Sequence, residues 1–386
     1  MLVIATANAG AATTLEGLKS CTLAVCGALM FADEPKADAA ESLRRLAALK
    51  ISTKIVTGDS ARTAAFVCKE LGLEVEGVLT GKEIEAYSDA QLSAKLDGTT
   101  IFARVTPEQK ARIIKLQRAK NVDVGYLGDG INDALALHEA DVGISVDSAV
   151  DVAKDAAGIV LLEKDLGILA DGVVEGRRIF ANTTKYVLMG TSSNFGNMFS
   201  AAGASLFLPF LPMLPSQILL NNLLYDISEM TIPTDNVDEE QLQRPEHWDM
   251  RLIGRFMLAF GPISSIFDFV TFGVMLFVFH AGAELFRTGW FVESLSTQSL
   301  VIFLIRTRRI PFFSSLPSLP LLATTLAVVV LGMVIPYTPV ATLLGFVPLP
   351  PKFFGVLAVM TATYLLLIEL AKRVFFGTAA AKQQGV

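Results

Sequence analysis

The chain has 386 residues, and a prior of roughly one domain per 150 residues gives two or three units, enough to bury a sizeable core. Hydrophobic residues make up 52% and charged residues 18%, with a mean hydropathy of +0.51, which excludes a disordered chain and an ordinary soluble one and predicts membrane spans. The net charge of -6, from 32 Lys and Arg against 38 Asp and Glu, leaves no basic footprint, so no nucleic-acid partner is expected.

Cys21, Cys26 and Cys68 are odd in number and form no CxxC pair, and they read as buried reduced thiols. Met1 to Gly10 has no basic region before an apolar run and no cleavage site. No signal peptide is expected, and the start is read as cytoplasmic.

Up to about Phe180 the apolar runs are short: Leu2 to Ala7, Leu23 to Ala32, Thr53 to Thr57, Thr100 to Val105, Val122 to Leu127, Val142 to Val146 and Ile159 to Leu162. Helical patterns over Ala37 to Leu49, Ala61 to Leu71 and Pro107 to Ala119 lie between them. Such alternation predicts an α/β unit whose mostly parallel sheet is covered on both faces, with ligands beyond the carboxyl ends of the strands. Beyond Phe180 about six spans are expected: Tyr186 to Leu208, Met213 to Ile232, Ile253 to His280, Trp290 to Ile305, Leu319 to Tyr337 and Lys352 to Leu370. The basic clusters Arg177/Arg178/Lys185, Arg251/Arg255, Arg306/Arg308/Arg309 and Lys372/Arg373 then fall on one side, which places both chain ends in the cytoplasm. The expected domains are residues 1–163 (α/β), 164–185 (a stalk helix) and 186–386 (an all-α transmembrane bundle).

Three segments carry phosphate chemistry. Gly125 to Asp133 (GYLGDGIND) runs a strand into a glycine-flanked acidic turn, where Asp129 and Asp133 can share one hard cation. Lys54 to Asp59 (KIVTGD) ends a strand in Thr57, Gly58 and Asp59, with a hydroxyl and freed backbone N–H groups able to hold a phosphoryl oxygen, and Asp59 orienting the loop or capping the helix. Thr106 to Lys110 (TPEQK) reads as a capping box with proline in the first turn, leaving Lys110 to neutralise a phosphoryl group. Taken singly, each segment is also what a helix start looks like.

Together, in this order, the three motifs resemble the phosphorylation domain of P-type ATPases, a haloacid-dehalogenase-like, Rossmann-type fold. Asp33 to Lys36 (DEPK) is similar to that family's hinge motif, with Glu34 where many members have a second proline. The resemblance implies that Thr57 and Lys110 contact the phosphoryl group, with Gly58 and Asp59 completing the loop. It also implies that Asp129 and Asp133 hold the catalytic Mg²⁺ while Asn132 and Asp133 support the site, and that ATP is met by Asp33, Thr57, Gly58 and Asp59. The family's nucleophile lies in an Asp-Lys-Thr-Gly-Thr motif that does not occur in this sequence. The chain alone is therefore expected to be inactive and to need an N-terminal half, on the same polypeptide or a separate one. Alternatives are a non-catalytic split-pump subunit, a truncated fragment, or a pump for another divalent cation.

In the expected spans, Asn194 and Asn197 share one helical face, and so do Asn222 and Asp226. A carboxylate opposite amides at bilayer depth favours a cation site over mere helix glue. Ser193 to Asn197, Asn221 to Asp226, Asp235 to Asp238 and Arg306 to Phe312 resemble the magnesium-transporting branch of the family. That resemblance implies Mg²⁺ import across the plasma membrane, with Asn194, Asn197 and Asp226 as first contacts and Asn222 second. Glu229, Asp268, Glu293, Gln298 and Glu369 are expected to be mostly interfacial anchors or helix contacts, with Glu229 the likeliest addition to the transport set.

Overall fold

The computed structural model describes residues 2–6, 24–29, 36, 38–163 and 165–383, with side chains to residue 376. Asp33, Glu34, Pro35 and Cys21 lie outside the described residues. The chain divides into two units, Met1–Ala170 and Asp171–Val386.

In the first unit, strands β1 (Leu2–Thr6) and β2 (Ala24–Leu29) pair antiparallel, the exception in a unit whose other paired strands run parallel as expected. Their described side chains are exposed, so Cys26 is exposed too, against the expectation of burial; Cys68 is buried as expected. The remaining strands are parallel. β3 (Ile55–Thr57), β4 (Val78–Thr80) and β5 (Ile101–Ala103) form one sheet in the order β3-β5-β4, with Thr57, Ala103 and Thr80 in register at its carboxyl edge. β6 (Gly125–Leu127), β7 (Val142–Val146) and β8 (Ile159–Leu161) form a second sheet in chain order.

Helices α1 (Ala39–Ala48), α2 (Ala61–Glu70), α3 (Gly81–Ala86), α4 (Asp89–Leu96), α5 (Pro107–Arg118), α6 (Ala134–Glu139) and α7 (Asp151–Ala156) alternate with these strands along the chain. The sequence reading missed β4, α3 and α4. β4 is only three residues long, and α3 and α4 are one- to two-turn helices started by the capping boxes Thr80/Glu83 and Ser88/Gln91. α5 joins the two sheets. Its adjacent Ile113 and Ile114 enter different clusters, the first with Leu79, Leu92 and Phe102, the second with Tyr126, Leu137 and Val146. Val56 of β3 packs against both clusters. Burying each of these aliphatic side chains is worth about 1.5–3 kcal/mol, which holds α5 in place from both sides.

The second unit is helical. α8 (Leu166–Ala204), of which residues 171–204 belong here, is followed by α9 (Pro215–Glu229), α10 (Met250–Gly273), α11 (Ala283–Ile305), α12 (Leu319–Val334) and α13 (Pro351–Gln383). Among the described residues, four helical stretches are long and apolar enough to cross a membrane: Met250–Val278, Ala283–Ile305, Leu319–Tyr337 and Pro351–Phe376. They coincide with four of the six expected spans. The other two expectations fall on α8, a 39-residue helix interrupted by polar side chains, and on α9, which has 15 residues because Pro215 starts it late. α11 is the central helix, buried along nearly its whole length and packed on α9, α10, α12 and α13. α8 and α10 cross closely where a Cβ on Gly196 would lie 3.1 Å from Gly261 O, and Ser265 donates to Gly196 O across the crossing (3.0 Å).

Candidate functional site

In the first unit the chemistry gathers at the carboxyl edges of β3 and β6. Thr106 and Gln109 form the expected capping box with Pro107 in the first turn, which sets the start of α5. Lys110 follows, and its ammonium is held at 2.7 Å by Asp133 Oδ1. The same oxygen accepts the hydroxyl of Tyr126 (2.7 Å), while Asp133 Oδ2 accepts the Gly130 N–H (3.2 Å). Burial pushes the Asp133 carboxyl up, but hydrogen bonds from Lys110 and Tyr126 and the Lys110 charge outweigh it and hold the group below the usual carboxylate range. Burial chiefly, with the hydrogen bond to Asp133, raises the Tyr126 phenol, which stays a donor. Gly128 is required here: a Cβ on it would sit 2.6 Å from Asp133 Cβ and 3.0 Å from Tyr126 Cε1.

Thus Lys110 and Asp133, from separate predicted motifs, are brought together. Tyr126, their third member, was missed; its place at the strand end before the GDG turn is the only signal that pointed to it. Asp129 and Asn132 are exposed on the loop, and Asp129 lines a cavity of about 320 Å³ with Gly128, Val146, Leu161, Asp165 and Lys36. Thr57 is half-buried at the end of β3, and its hydroxyl accepts the Asp59 N–H (3.1 Å). Gly58 and Asp59 are exposed, and no atom lies within 4 Å of a Cβ built on Gly58. The cap of α2 is Ser60, which accepts from Thr63 N (3.3 Å), so Asp59 does not cap the helix.

No group of three or more His, Cys, Asp or Glu gathers into a metal-sized cluster among the described residues. Asp129 is the more exposed carboxylate of the turn, and Asp133 is held by Lys110. A donor set of one or two carboxylates suits Mg²⁺, which keeps several of its waters.

In the second unit, the predicted cation ligands do not form one cluster. Asn194, Asn222 and Asp226 are exposed on α8 and α9. Asn197 instead turns to α11, where its Oδ1 accepts from Gln298 Nε2 (2.5 Å) and Ser294 Oγ (3.4 Å). α8 and α9 meet through Ser193 and the Tyr225 hydroxyl (3.1 Å). Asp226 and Glu229 line a second cavity, about 460 Å³, with Asn182 and Tyr186. Glu229, Asp268, Glu293 and Gln298 are buried in the bundle, which rules out the interfacial alternative and leaves that of helix contacts, as Gln298 makes with Asn197 and Asp268 with Trp290.

Residues 4–141 match the haloacid dehalogenase-like hydrolase family, and residues 210–374 match the family of cation transporting ATPase C-termini. The chain is 51% identical over 350 residues to the Magnesium-transporting ATPase, P-type 1 of Escherichia coli (strain K12), covering 90% of this chain and 39% of that protein. A protein of the same name from Salmonella typhimurium is 46% identical over 357 residues, 92% of this chain and 39% of its own length. The Calcium-transporting ATPase 1 of Bacillus cereus is 35% identical over 264 residues, 67% of this chain and 29% of its own. The chain therefore spans about two fifths of the magnesium-transporting relatives it matches. With a haloacid-dehalogenase-like α/β unit followed by a helical unit with apolar spans, it belongs to the P-type cation-transporting ATPases.

Proposed function

We propose that this chain is the phosphate-handling and ion-path portion of an ATP-driven pump that imports Mg²⁺ across the plasma membrane. The observation that carries the reading is the Lys110–Asp133 pair, a buried lysine on a half-buried carboxylate, at the carboxyl edge of a parallel sheet, beside the Asp129 turn. Lys110, held by Asp133, which the Tyr126 hydroxyl positions in turn, presents a positive charge where a phosphoryl group would dock, and the Thr57 hydroxyl with the N–H groups of the open Gly58 loop supplies donors to its oxygens. Asp129, with Asp133 behind it, is the carboxylate to hold the catalytic Mg²⁺, which when bound neutralises phosphate charge. Asn132 supports the turn, and Asp33 with Thr57, Gly58 and Asp59 meets ATP. Residues 1–163, 164–185 and 186–386 serve as phosphorylation portion, stalk and six-span membrane domain, with both ends in the cytoplasm.

In this reading the exposed Asn194, Asn222 and Asp226 face the remaining length of the pump, which completes the ion site with Asn197. The phosphorylated aspartate is supplied by that same remaining length, because the Asp-Lys-Thr-Gly-Thr motif is absent here. Purified alone, the chain should form no ATP-dependent acylphosphate. Acid-stable label from ATP that disappears in Asp33→Asn would overturn this. In a complete pump, Asp226→Asn should abolish Mg²⁺-stimulated ATP turnover in a protein that still folds, and unchanged stimulation removes Asp226 from the site. The similarity to a calcium transporter makes Ca²⁺ the competing cargo. Stimulation by Ca²⁺ in place of Mg²⁺ would decide for it.

A further inference from the structure

Two carboxyl groups inside the helical unit take no part in the site above. Asp268 on α10 and Glu293 on α11 are 2% and 1% exposed, and their carboxyl groups are in hydrogen-bond contact with each other. Ser200 of α8 donates its hydroxyl to Asp268 Oδ2 (2.5 Å), and Trp290 of α11 donates its indole N–H to Asp268 Oδ1 (2.8 Å). The hydroxyls of Thr271 and Thr297 stand beside Glu293, whose Oε2 is buried without a hydrogen-bond partner. From α13, Tyr364 is the titratable group that faces the pair. Among the described residues no Lys, Arg or His forms an ion pair with either carboxyl.

Two carboxylates in contact inside a low-dielectric interior cannot both be ionised. Contact between two carboxyl groups needs a proton on one of them, because an ionised carboxylate only accepts. The donors decide which. Asp268 receives an O–H and an N–H, one on each oxygen, the environment of an anion, whereas Glu293 leaves an oxygen without any donor. We propose that Asp268 and Glu293 form a one-proton site in the bundle interior, with the proton carried by Glu293 and donated to the Asp268 carboxylate. The site goes beyond the pump reading and depends on neither its cargo nor its catalytic half.

Infrared spectroscopy of the full chain in lipid nanodiscs at neutral pH tests it. Glutamine has the shape of protonated glutamate and keeps a donor for Asp268, so Glu293→Gln should fold with an unchanged melting temperature. Wild type minus Glu293→Gln should show the loss of one whole protonated-carboxyl C=O band, one that shifts down in D₂O. A difference spectrum without that band overturns the proposal. If Glu293→Gln does not fold, ¹³C labelling of glutamate or aspartate in a Glu229→Gln background, with Glu293 intact, answers the same question. A protonated band that moves with the glutamate label supports the site, and a band that moves only with aspartate, or no band, overturns it.

Discussion

Replacing Asp235 with alanine should destabilise the helical unit more than any surface substitution. Its side chain is fully buried and joins three parts of the fold: Oδ2 accepts from Lys185 Nζ of α8 (2.9 Å) and Arg306 Nε just after α11 (2.7 Å), and Oδ1 accepts the Ser318 N–H just before α12 (3.1 Å). Removing one partner of a buried ion pair costs about 3–5 kcal/mol, because the other charge stays in the interior uncompensated. Here two cations lose the same anion, but both keep other acceptors. Lys185 retains Asn182 Oδ1 and Asn236 O (2.9 Å each), and Arg306 retains Ser315 O (3.1 Å) and Leu316 O (2.9 Å). The cost of Asp235→Ala should therefore stay within the single-pair range.

In a unit of this size each kcal/mol moves the melting temperature by roughly 2–4 °C, so a fall of about 6–20 °C is expected. Asp235→Asn keeps one acceptor oxygen and loses the charge, and should cost about 1.5–3 kcal/mol, the worth of a hydrogen bond to a charged group. Thermal unfolding in detergent, followed by the fluorescence of Trp248, which lies edge-on to Phe180 of α8 (5.0 Å), reads these shifts. Glu175→Ala is the control, since its pair with Arg178 is exposed on both sides and worth about 0–1 kcal/mol. Adding Lys185→Met to Asp235→Ala should recover part of the loss by removing one stranded cation. A melting point for Asp235→Ala within about 2 °C of wild type, less than 1 kcal/mol on the same scale, would refute the reasoning.

Three further outcomes follow from the α/β unit and the bundle. Because the folded Asp133 carboxyl lies below its unfolded value of about 3.9, its contribution is present above that value and lost as pH falls through the lower folded one; Asp133→Asn should flatten the acid limb of a melting-temperature profile, and parallel limbs would contradict this. Gly128→Ala places a methyl 2.6 Å from Asp133 Cβ and should cost about 1–3 kcal/mol by overpacking, read as a lower urea midpoint. Gln298→Ala takes away the donor at 2.5 Å from Asn197 Oδ1 and should cost about 1–3 kcal/mol in thermal unfolding, with Gln298→Glu no rescue because it offers a second acceptor.

What the sequence made legible was whatever is written locally. The capping box at Thr106, the strand ends at Thr57 and Leu127, and the four long apolar helices follow from neighbours within one or two turns. β4, α3 and α4 escaped because three-residue strands and six- to eight-residue helices carry too few positions to show a period. The antiparallel β1–β2 pair escaped for another reason. An alternation of strands and helices predicts parallel pairing, and the spacing of residues within one strand does not say which way its neighbour runs.

The roles of buried polar groups were the least legible part, and α11 shows why. An exposed helix announces its inward face by apolar spacing, and polar residues then mark the outward one. α11 is enclosed on all sides, so Glu293, Ser294, Ser296, Thr297, Gln298 and Ser299 are buried together and no polar face exists to be read. Much of their bonding runs within the helix, as from Ser296 to Val292 O (2.6 Å) and from Thr297 to Glu293 O (3.0 Å). Partners such as Asn197 or Asp268 lie on other helices, where no spacing rule reaches. The same holds for Asp235, whose cationic partners stand 50 and 71 positions away. A charged residue in such a chain looks like a surface anchor until its counterpart is known, and burial then converts the same residue into the point on which several helices depend.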